Sequence, residues 1–182
     1  MIEVFSEGIE QDIAHVLRNR DARVHEQQVL SKKLRENQSL INAKLNIPGP
    51  IKNNYYLARL FKRGLEQFLE TLPVAYRLIW DVATGPEAFV IVSETASSVK
   101  QKAVTFEDDN EFGRLFDIDV LIYNNDNNLQ PLSRKDFNQP SRKCLICDKP
   151  AKVCARSRTH SVDEMQRYIN KLMNDDLGFL WN

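Results

Sequence analysis

The sequence predicts an α+β protein with a single domain, in which helices flank an antiparallel or mixed sheet. Three observations support this fold class. The chain has 182 residues, which is enough for one domain with a substantial core. Segments with apolar residues at helical spacing alternate along it with short runs at strand spacing. No internal repeat or low-complexity linker divides the chain, so we expect residues 1–182 to form one domain.

The first forty residues predict two helical segments. Apolar residues at helical spacing indicate that the first is amphipathic: Ile9, Ile13, Val16 and Leu17. The highly charged segment from Asp21 to Glu36 has a thinner apolar stripe, and we expect its basic residues to form a solvated face. Over 41–47 the period changes to two, with Asn42, Lys44 and Asn46 between apolar residues, which predicts a half-buried strand.

The middle of the chain predicts a long helix followed by a hairpin. A Pro-Gly-Pro run at 48–50 stops the first strand, and apolar residues at helical spacing predict a helix from about Asn54 until the next proline. Residues 76–82 alternate as a second strand, and the apolar run 89–92 predicts a buried central strand. The Gly-Pro-Glu segment at 85–87 predicts the turn between them, where a glutamate is expected to be solvated unless it reaches a site at the sheet edge.

The C-terminal half predicts further helices and a second hairpin. A short helix is expected over 95–103, followed by a solvated acidic loop at 108–111. The strand that ends the Gly113–Val120 run precedes an asparagine-rich turn at 124–128 and a return strand. A capping-box pattern then begins a final amphipathic helix: Ser161 with Glu164, and the apolar residues Val162, Met165, Ile169, Leu172 and Met173.

Asp117 and Asp119 are the first candidates for chemistry. Side chains two apart on a strand share a face, so both carboxylates are expected to project together while Ile118, Val120 and Ile122 anchor the other face. Adjacent carboxylates repel each other, and a shared divalent cation removes that cost. Mg²⁺ is expected because it binds carboxylate oxygens together with substrate phosphates. The pattern is typical of metal-assisted phosphoryl or nucleotidyl transfer, and its alternative is a solvated strand face.

The second candidate site is a Cys-x-x-Cys motif followed by a further cysteine and a histidine: Cys144, Cys147, Cys154 and His160. Two thiolates at this spacing can bind one metal ion, and the later cysteine and histidine can complete a tetrahedral structural zinc site. One alternative is buried, inert thiols with a basic histidine that contacts phosphate. A redox pair is favoured less, because no thioredoxin-like βαβ unit is predicted around the motif.

Cationic side chains are concentrated in the same third of the chain as the two aspartates. From Gly113 to His160 there are nine Lys or Arg and five Asp or Glu, so this segment carries a net excess of four positive charges. Arginine binds phosphate through two parallel hydrogen bonds, although each arginine alone is more often a surface residue. The candidate phosphate ligands are Arg114, Arg134, Arg142, Arg156 and Arg158. This local excess suits an anionic small molecule better than a DNA duplex.

The composition argues against several classes of function. The formal net charge is zero, so no global field attracts nucleic acid or an anionic membrane. The N-terminus lacks the basic segment and apolar run of a signal peptide, and no apolar stretch approaches the length of a bilayer span. Three cysteines within eleven positions argue against a secreted disulfide framework. We therefore expect a cytoplasmic protein without nucleic-acid or membrane partners.

Several of these motifs follow one another in a consistent order. The central run, Gly-Arg-Leu-Phe-Asp-Ile-Asp-Val, spans Gly113–Val120. Around it lie Pro48–Lys52, Gly85–Glu87, Leu132–Asp136, Arg142–Cys147, Cys154–Arg156 and Thr159–His160. Together they resemble the apo-citrate lyase phosphoribosyl-dephospho-CoA transferase family from about Pro48 to His160. The first forty residues and the last twenty are generic.

This resemblance implies an enzyme that matures citrate lyase by loading its acyl-carrier subunit. The implied donor is 2′-(5″-triphosphoribosyl)-3′-dephospho-CoA, and a serine hydroxyl of the apo carrier attacks its phosphate next to the ribosyl group. Pyrophosphate leaves and a phosphodiester forms, which is nucleotidyltransferase-type chemistry. In this scheme Asp117 and Asp119 hold Mg²⁺, the arginines contact phosphates, and Asp136 or Glu87 supplies a third carboxylate.

The resemblance leaves the fold family and the acceptor open. A nucleotidyltransferase-like fold is one candidate, but many such enzymes place a Gly-Ser helix shortly before Asp-x-Asp, and the nearest counterpart, Thr84-Gly85, lies too far upstream. The closest enzyme alternative is the same transfer to the carrier of malonate decarboxylase. The alternative from another class is a small non-catalytic zinc-binding interaction protein that uses the cysteine–histidine motif.

Overall fold

The computed structural model describes residues 2–176 of the 182-residue chain. The strands are β1 (Ser39–Leu45), β2 (Val74–Val82), β3 (Gly85–Val92), β4 (Phe116–Tyr123) and β5 (Leu129–Pro131). The helices are α1 (Ile13–Ser31), α2 (Tyr55–Leu69), α3 (Ala96–Asp109), α4 (Ala151–Ser157) and α5 (Val162–Asp175), with short 3₁₀ helices at Gly113–Leu115 and Arg134–Phe137.

The five strands form one antiparallel sheet in the order β2-β3-β1-β4-β5. This architecture confirms the predicted α+β class, and the sheet is antiparallel rather than mixed. The single domain over residues 1–182 stays a prediction, and residues 1 and 177–182 of it lie outside the described part of the chain.

β1 is the central strand, because it pairs with β3 on one side and with β4 on the other. Its side chains alternate between the two sheet faces. Ile41 and Ala43 enter the main core, whereas Asn42 and Lys44 project from the opposite face. The register with β4 places these two polar residues directly opposite the two aspartates of the Asp-x-Asp motif.

One face of the sheet carries the main hydrophobic core. α2, α3 and α5 cover it with buried side chains that include Leu57, Leu60, Phe61, Val99, Ala103, Ile169 and Met173. Phe116 of β4 is fully buried there, and its ring centroid lies 5.9 Å from that of Phe61 and 5.3 Å from that of Phe106. Aromatic pairs at these distances add to the stabilisation from burial alone.

The caps of α2 and α5 are the ones that the sequence indicates. The Asn54 side chain accepts a hydrogen bond from the backbone N–H of Leu57, which satisfies a donor at the start of α2. Ser161 and Glu164 form the predicted capping box at the start of α5. Within residues 2–176, no helix is both long and apolar enough to cross a membrane.

α1 differs from the two helical segments that the sequence predicts. It is one continuous helix that begins after the capping residue Asp12, so Ile9 lies before it. The apolar residues at this end are exposed, Ile9 to 71% and Ile13 to 79%. The helix instead meets the sheet through Asn19, Arg23 and Gln27, spaced four residues apart, and then through Leu30. The prediction that the apolar residues of this helix form its contact face was wrong, because most of the residues that contact the sheet are polar.

The turn of the first hairpin is also placed differently from the prediction. Gly85, Pro86 and Glu87 belong to β3, where they pair with Val82, Asp81 and Trp80 of β2. The β1–β3 pairing ends at Glu87, so the missing N–H of Pro86 interrupts no ladder with β1. Glu87 is therefore a buried strand residue and not a solvated turn residue.

α3 is longer than the predicted helix over 95–103 and takes in the first half of the predicted acidic loop. It continues to Asp109, so the solvated loop predicted at 108–111 was wrong in part. Glu107 in its last turn is buried, and Asp108 forms an ion pair with Arg134. Arg134 is the cationic partner of both Glu107 and Asp108.

Candidate functional site

The acidic pair, Asp117 and Asp119, lies on the sheet face opposite to Ile118 and Val120. Lys44 of β1 bridges the pair: its Nζ lies 2.7 Å from Oδ2 of Asp117 and 3.0 Å from Oδ2 of Asp119. The two carboxylate side chains are 39% and 29% exposed. They therefore converge on one cation position that remains accessible from solvent.

Lys44 offsets the repulsion that the acidic pair would suffer alone. Burial by itself would lower the pKa of Lys44, but the charges of Asp119 and Asp117 outweigh it and raise this pKa. Burial likewise opposes ionisation of Asp117, yet Lys44 and then Arg142 hold the pKa of Asp117 below its ordinary value. The two carboxylates are thus balanced by Lys44 and, at 3.7 Å from Asp117, by Arg142.

Glu87 lies on the same sheet face as the acidic pair and holds α1 against that face by hydrogen bonds. The β1 register places Lys44 opposite both Glu87 of β3 and Asp117 of β4, so these three residues form one row across the sheet. The Glu87 carboxylate accepts hydrogen bonds from Nε of Arg23 at 2.6 Å and from the amide of Asn19 at 2.6 Å. Hydrogen bonds to the carboxylate raise the pKa of Arg23 against the effect of burial.

A second contact from α1 reaches the neighbouring row of the sheet. The Gln27 amide donates to Oδ1 of Asn42 at 3.1 Å, and the Asn42 amide donates to the carbonyl of Ala88 at 3.2 Å. Asn42 is fully buried and lies opposite Asp119 in the register. Polar contacts rather than a hydrophobic seam thus hold the middle of α1 over the acidic pair.

The outer edge of β4 is completed by side chains. β5 pairs only with residues 121–123, so the edge before them has no strand partner in the described sheet. The Glu107 carboxylate accepts from the N–H of Ile118 at 2.9 Å, and the Arg142 guanidinium donates to the carbonyl of Phe116. Nη2 of Arg142 lies 2.9 Å from the buried Glu107 carboxylate, and its Nη1 lies 3.7 Å from Oδ1 of Asp117. Arg142 is thereby fixed beside the acidic pair.

In the part of the chain that the structure describes, the other predicted arginines form no ion pair with the acidic pair, although Arg134 shares the Glu107 carboxylate with Arg142. Arg134 forms ion pairs with Glu107 and Asp108 at the end of α3. Arg114 donates to the carbonyl of Cys144 at 3.3 Å. Arg156 and Arg158 are exposed, one on α4 and the other at its C-terminal cap.

Asp136, the other candidate for a third carboxylate, caps the 3₁₀ helix at Arg134–Phe137. Its Oδ2 accepts a hydrogen bond from the N–H of Ser133 at 2.9 Å, and its side chain is exposed. Of the two candidates, Glu87 is the one that shares the sheet face of Asp117 and Asp119.

The structure brings the four predicted metal ligands together. One ligand atom from each of Cys144, Cys147, Cys154 and His160 lies within 4.8 Å of all the others. Sγ of Cys147 is 3.6 Å from Sγ of Cys154 and 3.3 Å from Nε2 of His160. All three cysteines are free thiols. This cluster can hold a metal ion with three sulfur ligands and one nitrogen ligand.

Three site residues were absent from the sequence-based candidates: Lys44, Arg23 and Glu107. Lys44 had a usable signal, because a lysine at a polar position of a central strand needs an acidic partner. Arg23 had a weaker one, since Asn19, Arg23 and Gln27 form a polar stripe at helical spacing. Nothing local identifies Glu107, because its partners Arg134 and Arg142 are distant in sequence.

A cavity of about 280 Å³ lies away from the acidic pair, between α2 and β2. Its lining includes Tyr55, Lys62, Arg77 and Asp81. α2 covers the apolar face of the sheet, whereas the acidic pair projects from the opposite face. The cavity is therefore separate from the site described above.

The family model and the similar proteins that match this chain agree on one family. The family model described as apo-citrate lyase phosphoribosyl-dephospho-CoA transferase matches residues 11–176. A relative from Streptococcus pyogenes serotype M18, named a probable apo-citrate lyase phosphoribosyl-dephospho-CoA transferase, is 38% identical over 165 residues, which cover 89% of this chain and 85% of the relative.

Two enterobacterial proteins named apo-citrate lyase phosphoribosyl-dephospho-CoA transferase are also similar. The Escherichia coli protein is 32% identical over 171 residues, covering 90% of this chain and 88% of the relative. The Citrobacter koseri protein is 33% identical over 144 residues, covering 75% of each chain. The region that the family model matches includes the acidic pair, Lys44, Arg142 and the cysteine–histidine cluster.

Proposed function

The chain belongs to the apo-citrate lyase phosphoribosyl-dephospho-CoA transferase family, and from this we propose that it transfers the phosphoribosyl-dephospho-CoA group to apo-citrate lyase. The acceptor in this proposal is a serine of the acyl-carrier subunit, and the donor is the triphosphoribosyl derivative of dephospho-CoA. The observation that carries the site assignment is the convergence of Asp117 and Asp119 on one cation position, which Lys44 occupies in the structure, with Arg142 close to Asp117.

The proposed reaction is a nucleotidyltransferase-type displacement at phosphorus. The serine oxygen forms a bond to the phosphate next to the ribosyl group, and the bond from that phosphorus to the bridging oxygen of the pyrophosphate breaks. The electron pair leaves with pyrophosphate, and the hydroxyl proton is released. Because the leaving group departs with high negative charge, positioned cations stabilise the transition state.

The acidic pair fits a magnesium ion by its chemistry. Two carboxylate oxygens lie within 3.0 Å of one ammonium nitrogen, which indicates that both point at a common cation position. Mg²⁺ prefers such hard oxygen ligands, and when bound it would neutralise phosphate charge and help to activate the serine. Lys44 occupies that position in the structure, so we propose that it turns to the donor phosphates when the metal binds.

Arg142 is the arginine best placed to contact the reacting phosphates, because it is anchored by Glu107 beside Asp117. We propose that the exposed Arg156 and Arg158 contact more distant phosphates of the donor, and Arg114 and Arg134 remain candidates of the same kind. Glu87 is the proposed third carboxylate, and it also holds α1 in place through Arg23. Three free thiols suit a reducing compartment, so we place the reaction in the cytoplasm.

Intact mass of the acyl-carrier subunit tests this proposal directly. Purified apo carrier is incubated with the protein, Mg²⁺ and the triphosphoribosyl donor, and we expect a gain equal to phosphoribosyl-dephospho-CoA together with free pyrophosphate. Asp119→Asn should abolish the gain, whereas Asp126→Asn, in the exposed turn after β4, should not. Full activity of Asp119→Asn would remove the acidic pair from the mechanism.

The same assay with the apo carrier of malonate decarboxylase tests the alternative acceptor. We expect loading of the citrate lyase carrier to be faster at equal concentrations of the two carriers. Preferential loading of the other carrier would keep the chemistry and change the acceptor.

A further inference from the structure

We propose that Cys144, Cys147, Cys154 and His160 bind one structural Zn²⁺ that holds Arg142 beside Asp117. Zinc binding by these four residues does not depend on the proposed transfer reaction. Only the consequence for the acidic pair depends on it, because the catalytic value of Arg142 follows from the proposed function.

Two distances within the cluster are close to those of a tetrahedral zinc site, and all four ligand atoms lie within 4.8 Å of one another. Zn–S bonds of about 2.3 Å in tetrahedral geometry place two sulfurs about 3.8 Å apart, and a sulfur and a nitrogen ligand about 3.5 Å apart. The structure has 3.6 Å between Cys147 and Cys154, and 3.3 Å between Cys147 and Nε2 of His160. A redox dithiol needs only two sulfurs, whereas here a third sulfur and an imidazole nitrogen converge on the same point.

The backbone around Cys144 is folded as a loop that presents ligands inward. Lys143 and Pro150 form an isolated β-bridge, and the N–H of Cys144 donates to the carbonyl of Lys149 at 2.8 Å. The loop then leads into α4, which carries Cys154, and the N–H of Thr159 returns to the carbonyl of Cys154 at 3.1 Å. Cys144 and Cys154 are buried even though most of the residues around them are exposed.

This segment has little apolar material to keep it folded without a metal ion. Its buried apolar residues are Cys144 and Cys154, and Leu145 adds a partly buried contact with the main core. The seven-residue helix α4 is too short to be stable by itself. Four bonds to one zinc ion would supply the missing stabilisation, as they do in small zinc domains. On binding, the three thiols release their protons and the imidazole binds in its neutral form.

The metal loop is joined directly to the acidic pair through Arg142. The carbonyl of Arg142 accepts from the N–H of Ala151 at 2.8 Å, so the loop closes on this residue. Its guanidinium reaches Glu107 and Asp117 across the edge of β4. Arg114 adds a second connection, because it donates to the carbonyl of Cys144. A zinc ion would therefore fix the backbone from which Arg142 extends, and Arg142 in turn contacts Asp117.

Metal analysis of the purified full-length chain tests the site. We expect about one zinc per chain in the unmodified protein. His160→Asn removes one of four ligands and should release its zinc to a chelator more readily, whereas His160→Cys rebuilds a four-cysteine site and should hold it firmly. His25→Asn is the matched control, since His25 is an exposed histidine on α1. Cobalt added to zinc-free protein should give thiolate-to-cobalt charge-transfer absorption in the same set of variants.

Limited trypsin digestion tests the effect on the loop without using the transfer reaction. Removal of zinc by a chelator, or the change His160→Asn, should speed cleavage within 142–158, and His160→Cys should restore protection. Equal loss of zinc to the chelator in His160→Asn and His25→Asn would overturn the site. A Cys147–Cys154 disulfide in the intact mass of the purified protein would also overturn it. Unchanged cleavage after loss of zinc would overturn its structural role. Absence of carrier loading by a zinc-containing, protected protein would count against the proposed function alone.

Discussion

The two faces of the central strands differ in what they contribute. Towards α2, α3 and α5, β4 presents Phe116, Ile118 and Val120, all of which are buried in the main core. Towards α1 the same strand presents Asp117 and Asp119, which are paired with Lys44 and remain accessible. Because side chains alternate along a strand, one continuous backbone supplies both a rigid base and a charged site. We therefore expect substitutions on the apolar face to change the stability of the protein and substitutions on the charged face to change the acidic pair, with little effect of one on the other.

Truncation of the apolar face should have the largest effect on stability. Phe116→Ala removes a fully buried ring that packs against Phe61 and Phe106, and we expect a loss of about 3–5 kcal/mol in the free energy of unfolding. Denaturant titration measures it. Tyr76→Ala, a partly exposed aromatic residue on the edge strand β2, is the control and should change stability far less. Equal losses in the two variants would show that the main core is not centred on Phe116.

Removal of the Lys44 ammonium group should change how the charged face of the sheet responds to Mg²⁺. In Lys44→Met the ammonium no longer competes for the carboxylates, so Mg²⁺ should stabilise this variant more than the unmodified protein. A metal that binds only the folded state adds about 2.7 kcal/mol at a concentration of about 100 times its Kd. Thermal unfolding with and without Mg²⁺ measures the difference.

The control for the lysine variant removes a ligand as well. In Lys44→Met combined with Asp119→Asn, the response to Mg²⁺ should disappear because only one carboxylate of the pair remains. A Mg²⁺ response that is the same with and without Lys44 would place the metal somewhere other than the acidic pair. Carrier loading by Lys44→Met should also fall, since the proposed phosphate contact is lost.

The sequence was a good guide to elements that pack by hydrophobic contact. The alternation along β4, the long apolar helix α2 and the capped helix α5 were confirmed, because burial of one face imposes a regular spacing. The half-buried strand predicted over 41–47 was wrong in part, because β1 ends at Leu45 and is buried on both faces from Ser39 to Ala43. The proximity of the three cysteines and His160 was equally predictable, because a Cys-x-x-Cys motif followed by a further cysteine and histidine is a typical spacing for residues that meet at one point.

Elements held by polar contacts were harder to predict. α1 faces the sheet with Asn19, Arg23 and Gln27, and no hydrophobic period indicates such a face. Glu87 was expected in a turn because its Gly-Pro neighbours usually form one, yet its partner Arg23 is 64 residues away in sequence. Long-range ion pairs of this kind leave no local pattern, and the same reason explains why Glu107 was missed.

Loss of the ion pair between Glu87 of the sheet and Arg23 of α1 should reduce the free energy of unfolding by a moderate amount. Glu87→Gln leaves the part-buried Arg23 guanidinium without its charged partner, and we expect a loss of about 1–3 kcal/mol. Hydrogen exchange should show reduced protection in α1 while α2 is unchanged. Glu111→Gln, at an exposed glutamate, serves as the control. If α1 and α2 lost protection together, Glu87 would support the whole sheet rather than the polar face.

The smallest effect is expected where the sequence suggested a buried stripe. Ile13 is 79% exposed on α1, so Ile13→Ser should change the free energy of unfolding by no more than about 0.5 kcal/mol. Leu30→Ser on the same helix is the matched comparison, because Leu30 is buried against the sheet and its loss should be far more costly. Both changes replace a four-carbon aliphatic side chain with serine and differ mainly in burial, so denaturant titration of the pair measures how far the packing of α1 extends. Comparable losses would mean that the N-terminal half of α1 is covered in solution, and the polar contacts at Asn19, Arg23 and Gln27 would then be only part of what holds the helix over the acidic pair.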